Sequence, residues 1–206
     1  MKLAVFDVDS TLIDAETIEK LASVVGLEDK VREVTTRAMQ GELDFFESLT
    51  YRVGLLKGVD TEKVNKICND LPLMNGAVEL IKELKDKGYI VVCFSGGFKN
   101  ATIPLMEKLG LDAEFANILH EKDGKLTGLV GGEMMFNNSK SLMLQKIQKL
   151  LNISKEDTIA IGDGANDLGM FEHAKIKVAF CAKEILKKNA NVIIETKDLR
   201  EVLKYV

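Results

Sequence analysis

Asp7 and Asp9 stand two residues apart directly behind the apolar run Lys2–Phe6, with Ser10 and Thr11 following. A second polar cluster, Gly162-Asp163-Gly164-Ala165-Asn166-Asp167, lies behind the apolar run Thr158–Ile161. A third, Ser95-Gly96-Gly97, lies behind Tyr89–Phe94. A short apolar run that stops at a polar loop is the pattern of a buried strand. In open α/β sheets, ligands bind at the carboxyl ends of such strands. If the first and last of these strands are both central, Asp7 and Asp163 converge although they are far apart in the chain. Converging carboxylates repel each other unless a cation sits between them, and an all-oxygen donor set suits a hard ion such as Mg²⁺.

Each feature taken alone has an ordinary structural explanation. An Asp behind a strand is commonly a helix cap or turn former. Gly162–Gly164 and Ser95–Gly97 would serve as plain loops, and Lys140 as a solvated lysine at a helix start. All four occur together, in order, each at the end of an element, and that combination points to a site.

The elements that would position these groups alternate. Ile176–Phe180 and Asn191–Ile194 read as two further strands. Helix-period segments cover Ala77–Lys87, Lys99–Leu109, Ser141–Leu151, Asn166–Ala174, Ala182–Lys188 and Asp198–Tyr205. Such alternation predicts a doubly wound, parallel α/β sheet covered on both faces. Residues 15–74 break the rhythm and read as four consecutive helices, Glu16–Val25, Asp29–Gln40, Asp44–Leu56 and Thr61–Asp70. The expected division is a catalytic core of residues 1–14 and 75–206, a helical cap of residues 15–74, and a small β-hairpin insert at 114–136. Lys122-Asp123-Gly124-Lys125 marks the hairpin turn.

Composition narrows the function. The chain has 206 residues, 28 Lys+Arg against 32 Asp+Glu, and a net charge of −4, so nothing draws it to nucleic acid or anionic lipid. Cys68, Cys93 and Cys181 lie far apart with no CxxC pair, which argues against a zinc site or a disulfide scaffold. No signal-peptide apolar region or run of about 20 apolar residues occurs. A soluble cytoplasmic protein is expected.

Asp7-Val8-Asp9-Ser10-Thr11-Leu12, Ser95-Gly96-Gly97, Lys140 and Gly162–Asp167 together resemble the four motifs of haloacid dehalogenase-like phosphohydrolases. That resemblance implies their Rossmannoid core. The likeness is closest to the phosphoserine phosphatases, and it extends to Glu16 and to the stretch from Met39-Gln40-Gly41-Glu42-Leu43-Asp44-Phe45 through Arg52-Val53. It implies hydrolysis of O-phosphoserine, the last step of serine biosynthesis, through an aspartyl phosphate on Asp7, with Asp9 as acid–base. It further implies Mg²⁺ on Asp7, the Asp9 backbone carbonyl and Asp163, with Asp167 supporting the metal and orienting Lys140. Ser95, Gly96, Gly97, Lys140 and Asn166 would hold the phosphate. Glu16 would meet the substrate ammonium and Arg52 its carboxylate, while Met39 and Phe45 would either cover the substrate or simply form the cap's core. Lys146 and Lys149 follow on the same helix as Lys140 and compete for its role.

Two rivals frame the expectation. The first keeps the chemistry and changes the ester, to phosphohomoserine or phosphothreonine, or transfers the phosphoryl group to an acceptor alcohol. The second is a receiver-like domain with a phosphorylatable aspartate. A sixty-residue helical insert and an acid–base beside the nucleophile argue against it. A dinucleotide site would need GxGxxG, and Gly162-x-Gly164 lacks the third glycine.

Overall fold

The computed structural model describes all 206 residues. Its seven strands are β1 (Lys2–Phe6), β2 (Tyr89–Phe98), β3 (Ala113–Lys122), β4 (Lys125–Gly132), β5 (Thr158–Gly162), β6 (Ile176–Phe180) and β7 (Val192–Ile194). They form one sheet in the order β4-β3-β2-β1-β5-β6-β7. β1 lies in the middle and pairs in parallel with β2 and β5, and only β4 runs antiparallel. Its side chains alternate between two hydrophobic clusters, Ala4 and Phe6 on one face, Leu3 and Val5 on the other. A strand buried on both faces needs an unbroken apolar run, which is what Lys2–Phe6 supplies before Asp7.

Four helices follow β1: α1 (Thr17–Ser23), α2 (Glu28–Met39), α3 (Phe45–Gly54) and α4 (Thr61–Asn69). Asp44 caps α3 by accepting from the Glu47 N–H at 2.9 Å, and Asp60 caps α4 in the same way. The segments leading out to these helices and back lie side by side. Asp14 N–H donates to the Pro72 carbonyl and Met74 N–H to the Leu12 carbonyl, both at 2.9 Å. A second tie is unexpected: Gly58 N–H and Leu126 N–H donate to Leu126 and Val59 carbonyls at 2.8 Å, binding the loop before α4 to the hairpin.

The remaining helices are α5 (Ala77–Asp86), α6 (Lys99–Leu109), α7 (Ser139–Leu151), α8 (Leu168–Phe171) and α9 (Glu184–Lys187). Gly110 ends α6 in the left-handed conformation at φ 68°.

Three expectations shift. β3 is a full member of the sheet before it becomes half of the hairpin. Ala113, Glu114 and Phe115 pair in parallel with Val92, Cys93 and Phe94, and only later residues turn back onto β4. The expected helix from Asn166 is a 3₁₀ turn, Ala165–Asp167, running into α8. The C-terminal segment Leu199–Tyr205 is 3₁₀ rather than α-helical. Leu199 and Val202 are both fully buried, and a 3₁₀ helix aligns residues three apart on one side. No helix is long and apolar enough to cross a membrane.

Candidate active site

The parallel pairing of β1 with β5 brings Asp7 and Asp163 together at the carboxyl ends of these two central strands. Asp7 N–H donates to the Ile161 carbonyl at 2.9 Å, so the loop behind β1 stays anchored to β5. Carboxylate oxygens of Asp7, Asp163 and Asp167 lie within 4.8 Å of one another, and all three residues are buried. One cation meets them. The Lys140 ammonium, from the first turn of α7, bonds to Asp7 Oδ1 and, at 2.6 Å, to Asp167 Oδ1. Lys146 and Lys149 face solvent on the same helix.

The three acids are not equivalent. Asp167 has both oxygens engaged, since Oδ2 also accepts the N–H groups of Asp163 and Gly164 at 3.0 and 3.2 Å. Asp163 Oδ1 is buried with no hydrogen-bond partner. A buried polar atom without a partner is costly, and three buried carboxylates facing one ammonium leave negative charge uncompensated. An oxygen-seeking divalent cation fits this donor set, with Asp163 as the open ligand and Asp167 as the brace.

Electrostatics follow the same pattern. Burial, reinforced by Asp167, pushes the Asp7 carboxyl up to about 7. Burial, together with Asp7 and Asp167, lifts Asp163 well above the usual carboxylate range. Burial alone would lower the Lys140 ammonium, but Asp167 and Asp7 outweigh it and hold it above its ordinary value.

Asp9 leans away from this cluster. Its Oδ1 accepts from Thr17, from the backbone N–H at 2.6 Å and the hydroxyl at 2.5 Å, so it sits on the amino end of α1. Burial raises its carboxyl in spite of these bonds. Beside it, Ser10 holds the left-handed conformation at φ 56°, and its hydroxyl donates to Glu16 Oε1 at 2.6 Å. Burial and the nearby Asp9 push Glu16 up to about 8.

A cavity opens beside these groups, lined by Asp7, Asp9, Gly96, Gly97 and Asn166 from the strand ends and loops of the sheet, by Glu16 just before α1, and by Thr35, Met39, Phe45 and Arg52 of α2 and α3. Arg52 is buried on α3. Its Nε donates to the Ser48 carbonyl at 3.0 Å and its Nη1 to the Thr35 hydroxyl at 2.8 Å. Burial lowers the guanidinium below its usual range, against the pull of Glu16 and Asp9. Ser95, Lys140, Asp163 and Asp167 are buried behind the lining residues and do not themselves line the cavity. Ser95 Oγ accepts the Gly97 N–H at 2.9 Å, and a Cβ on Gly96 would strike the Phe45 ring at 2.6 Å. Exposed Phe46 and Phe136 stack at 5.3 Å between centroids, joining α3 to the loop before α7.

Thr17, Thr35 and Asn117 escape the sequence reading. A polar residue inside the apolar stretch Phe115-Ala116-Asn117-Ile118 was the available signal for Asn117. Thr17 and Thr35 give none, because their partners come from other elements.

Comparison with known proteins accords with this geometry. Residues 1–175 match the model of the haloacid dehalogenase-like hydrolase family. The chain is 61% identical over 206 residues to a phosphoserine phosphatase of Wolinella succinogenes, covering 100% of both chains. It is 52% identical over 205 residues to one of Methanocaldococcus jannaschii, covering 100% of this chain and 97% of that one. A solved structure described as a phospho-aspartyl intermediate analogue of phosphoserine phosphatase superposes with a TM-score of 0.97 at 52% identity, covering 100% of this chain and 98% of the other. The chain belongs to the phosphoserine phosphatase family of haloacid dehalogenase-like hydrolases.

Proposed function

We propose that this chain hydrolyses O-phosphoserine to serine and phosphate by way of an aspartyl phosphate on Asp7. The observation that carries the reading is one cavity whose lining holds Asp7 and Asp9 together with a carboxyl, Glu16, and a guanidinium, Arg52. Phosphoserine carries a group for each: a phosphate for Asp7 and Asp9, an ammonium for Glu16 and a carboxylate for Arg52.

Asp7 attacks phosphorus, forming an Asp7 O–P bond as the P–O bond to the seryl oxygen breaks. Asp9 gives its proton to that leaving oxygen, a transfer favoured by the raised carboxyl. Asp9 then takes a proton from the water that attacks the phosphoenzyme, and Asp7 departs as a carboxylate while orthophosphate forms. The Lys140 ammonium, the Ser95 hydroxyl, the Gly96 N–H, Gly97 and Asn166 hold the phosphoryl oxygens. Asp7, Asp163 and the Asp9 backbone carbonyl would hold Mg²⁺, which when bound supplies Lewis-acid charge neutralisation. Met39 and Phe45 cover the pocket and limit water. The three free cysteines accord with a reducing cytoplasm.

Phosphate release from phosphoserine, compared with phosphothreonine, phosphohomoserine and an aryl phosphate, tests the assignment. Phosphoserine should be preferred, and preference for another ester would replace it. Arg52→Ala isolates the specificity claim. A hydrogen bond from a guanidinium to a carboxylate contributes about 1.5–3 kcal/mol, so kcat/KM on phosphoserine should fall roughly 10- to 150-fold. On the aryl phosphate it should barely change. Equal loss on both would mean that Arg52 holds α2 and α3 together through Thr35 instead.

A further inference from the structure

Asn117 is fully buried in the middle of β3, with Phe98 of β2 as its partner on one side and Gly132 of β4 on the other. The β2–β3 register breaks between Phe94 and Phe98, where Ser95-Gly96-Gly97 bulges out of the ladder. Bulges near a site re-aim its groups but leave backbone atoms unpaired. The Asn117 side chain fills that gap. Its Nδ2 donates to the Gly96 carbonyl at 3.1 Å and to the Met134 carbonyl at 3.1 Å, while Oδ1 accepts the Met134 N–H at 2.9 Å. The approach is close: a Cβ on Gly132, which sits at φ +141°, would fall 2.7 Å from Asn117 Cα.

The Gly96 carbonyl and the Gly97 N–H belong to one planar peptide and point in opposite directions. Asn117 fixes the carbonyl end, and the N–H end bonds Ser95 Oγ at 2.9 Å. The Ser95 hydroxyl oxygen is thereby held as an acceptor, leaving its proton free to donate to an anion. The two bonds to Met134 tie the same amide to the loop that runs through Phe136 and Ser139 into Lys140, the first turn of α7. No other side chain reaches both segments by hydrogen bonds.

We propose that Asn117 is the positioning residue of the phosphate cradle, setting the Ser95–Gly97 bulge and the Lys140 loop in register from a strand that never touches substrate. The inference rests on the proposed reading of these two segments as phosphate-holding. It also explains the chemistry of the position. An Asp would set a negative charge against two carbonyls, and a Leu would leave those carbonyls and the Met134 N–H without partners.

The test uses the whole enzyme with Asn117→Asp, Asn117→Ala, Ser95→Ala and, as a matched core lesion, Val202→Ala, buried in the C-terminal 3₁₀ segment. Each is assayed below its own melting temperature on phosphoserine and on an aryl phosphate, with inorganic phosphate as competitive inhibitor. Misplacing a binding group by about 1 Å costs up to about 100-fold. Both Asn117 variants should therefore lose roughly 10- to 100-fold in kcat/KM by a similar factor on the two esters, and the phosphate inhibition constant should rise. Val202→Ala should lose melting temperature and keep both constants. Asn117→Asp preserves shape and the acceptor for Met134, so it reads the effect even if Asn117→Ala does not fold. Folded Asn117 variants with wild-type phosphate inhibition would overturn the proposal, as would a loss confined to phosphoserine. If Ser95→Ala also leaves phosphate inhibition unchanged, the cradle reading itself fails. If only Ser95→Ala weakens it, the fault lies with Asn117 alone.

Discussion

Replacing Asp7 by Asn should remove turnover, with kcat falling by about 10⁵-fold or more, the scale seen when an activated nucleophile is deleted. The amide is nearly isosteric but does not attack phosphorus. The fold should survive, because the change removes one of three crowded carboxylates and leaves Lys140 its bond to Asp167 at 2.6 Å. Steady-state phosphate release together with thermal melting checks both halves. An inactive protein that melts like wild type is expected. Substantial residual turnover would point to direct attack by water.

Removing divalent metal should silence the enzyme almost as fully. Asp7, Asp163 and Asp167 are buried together with a single ammonium among them, and a phosphate dianion adds to that negative charge. Lewis-acid stabilisation amounts to several kcal/mol, so EDTA should lower the rate by about 10³-fold or more, and added Mg²⁺ should restore it. Asp163→Asn should raise the Mg²⁺ concentration for half-maximal rate by at least about 10-fold, since even the outer partners of metal ligands cost 10- to 100-fold. Asp163 is the sharper probe because its Oδ1 has no protein partner, whereas Asp167 is fully engaged. Undiminished activity in chelator would remove the metal from the account.

What was legible from the chain was what depends on short-range pattern. β1 is apolar from Leu3 to Phe6 because both of its faces are buried there, so its end at Asp7 stands out, and β5 repeats the signal before Asp163. α6 spans Lys99–Leu109 as its periodicity and Gly110 predict. Lys140 could not be separated from Lys146 and Lys149 by spacing, since burial decides among them and burial is a tertiary property. The parallel half of β3 was hidden inside what reads as a hairpin, because pairing of Ala113–Phe115 with β2 depends on residues 21 positions upstream. Thr17 gave no signal for the same reason, and Asn117 gave only its polar place in an apolar stretch. Their roles come from hydrogen bonds to Asp9, Gly96 and Met134, contacts that only the folded chain creates. The C-terminal segment buries Leu199 and Val202, three apart, a spacing that suits an α-helix and a 3₁₀ helix alike, so its 3₁₀ form was not legible in the sequence.

In the proposed reaction phosphorus passes covalently through Asp7. Brief mixing of the wild-type enzyme with phosphorus-labelled phosphoserine and Mg²⁺, acid quench, borohydride reduction and peptide mapping tests it directly. An acyl phosphate survives acid and is reduced by borohydride, so acid-quenched protein should carry label on the Asp7 peptide. Reduction should release that label and convert Asp7 to homoserine, with neither signal in Asp7→Asn. Turnover with no acid-stable label and an intact Asp7 would contradict the account and transfer the attack to water.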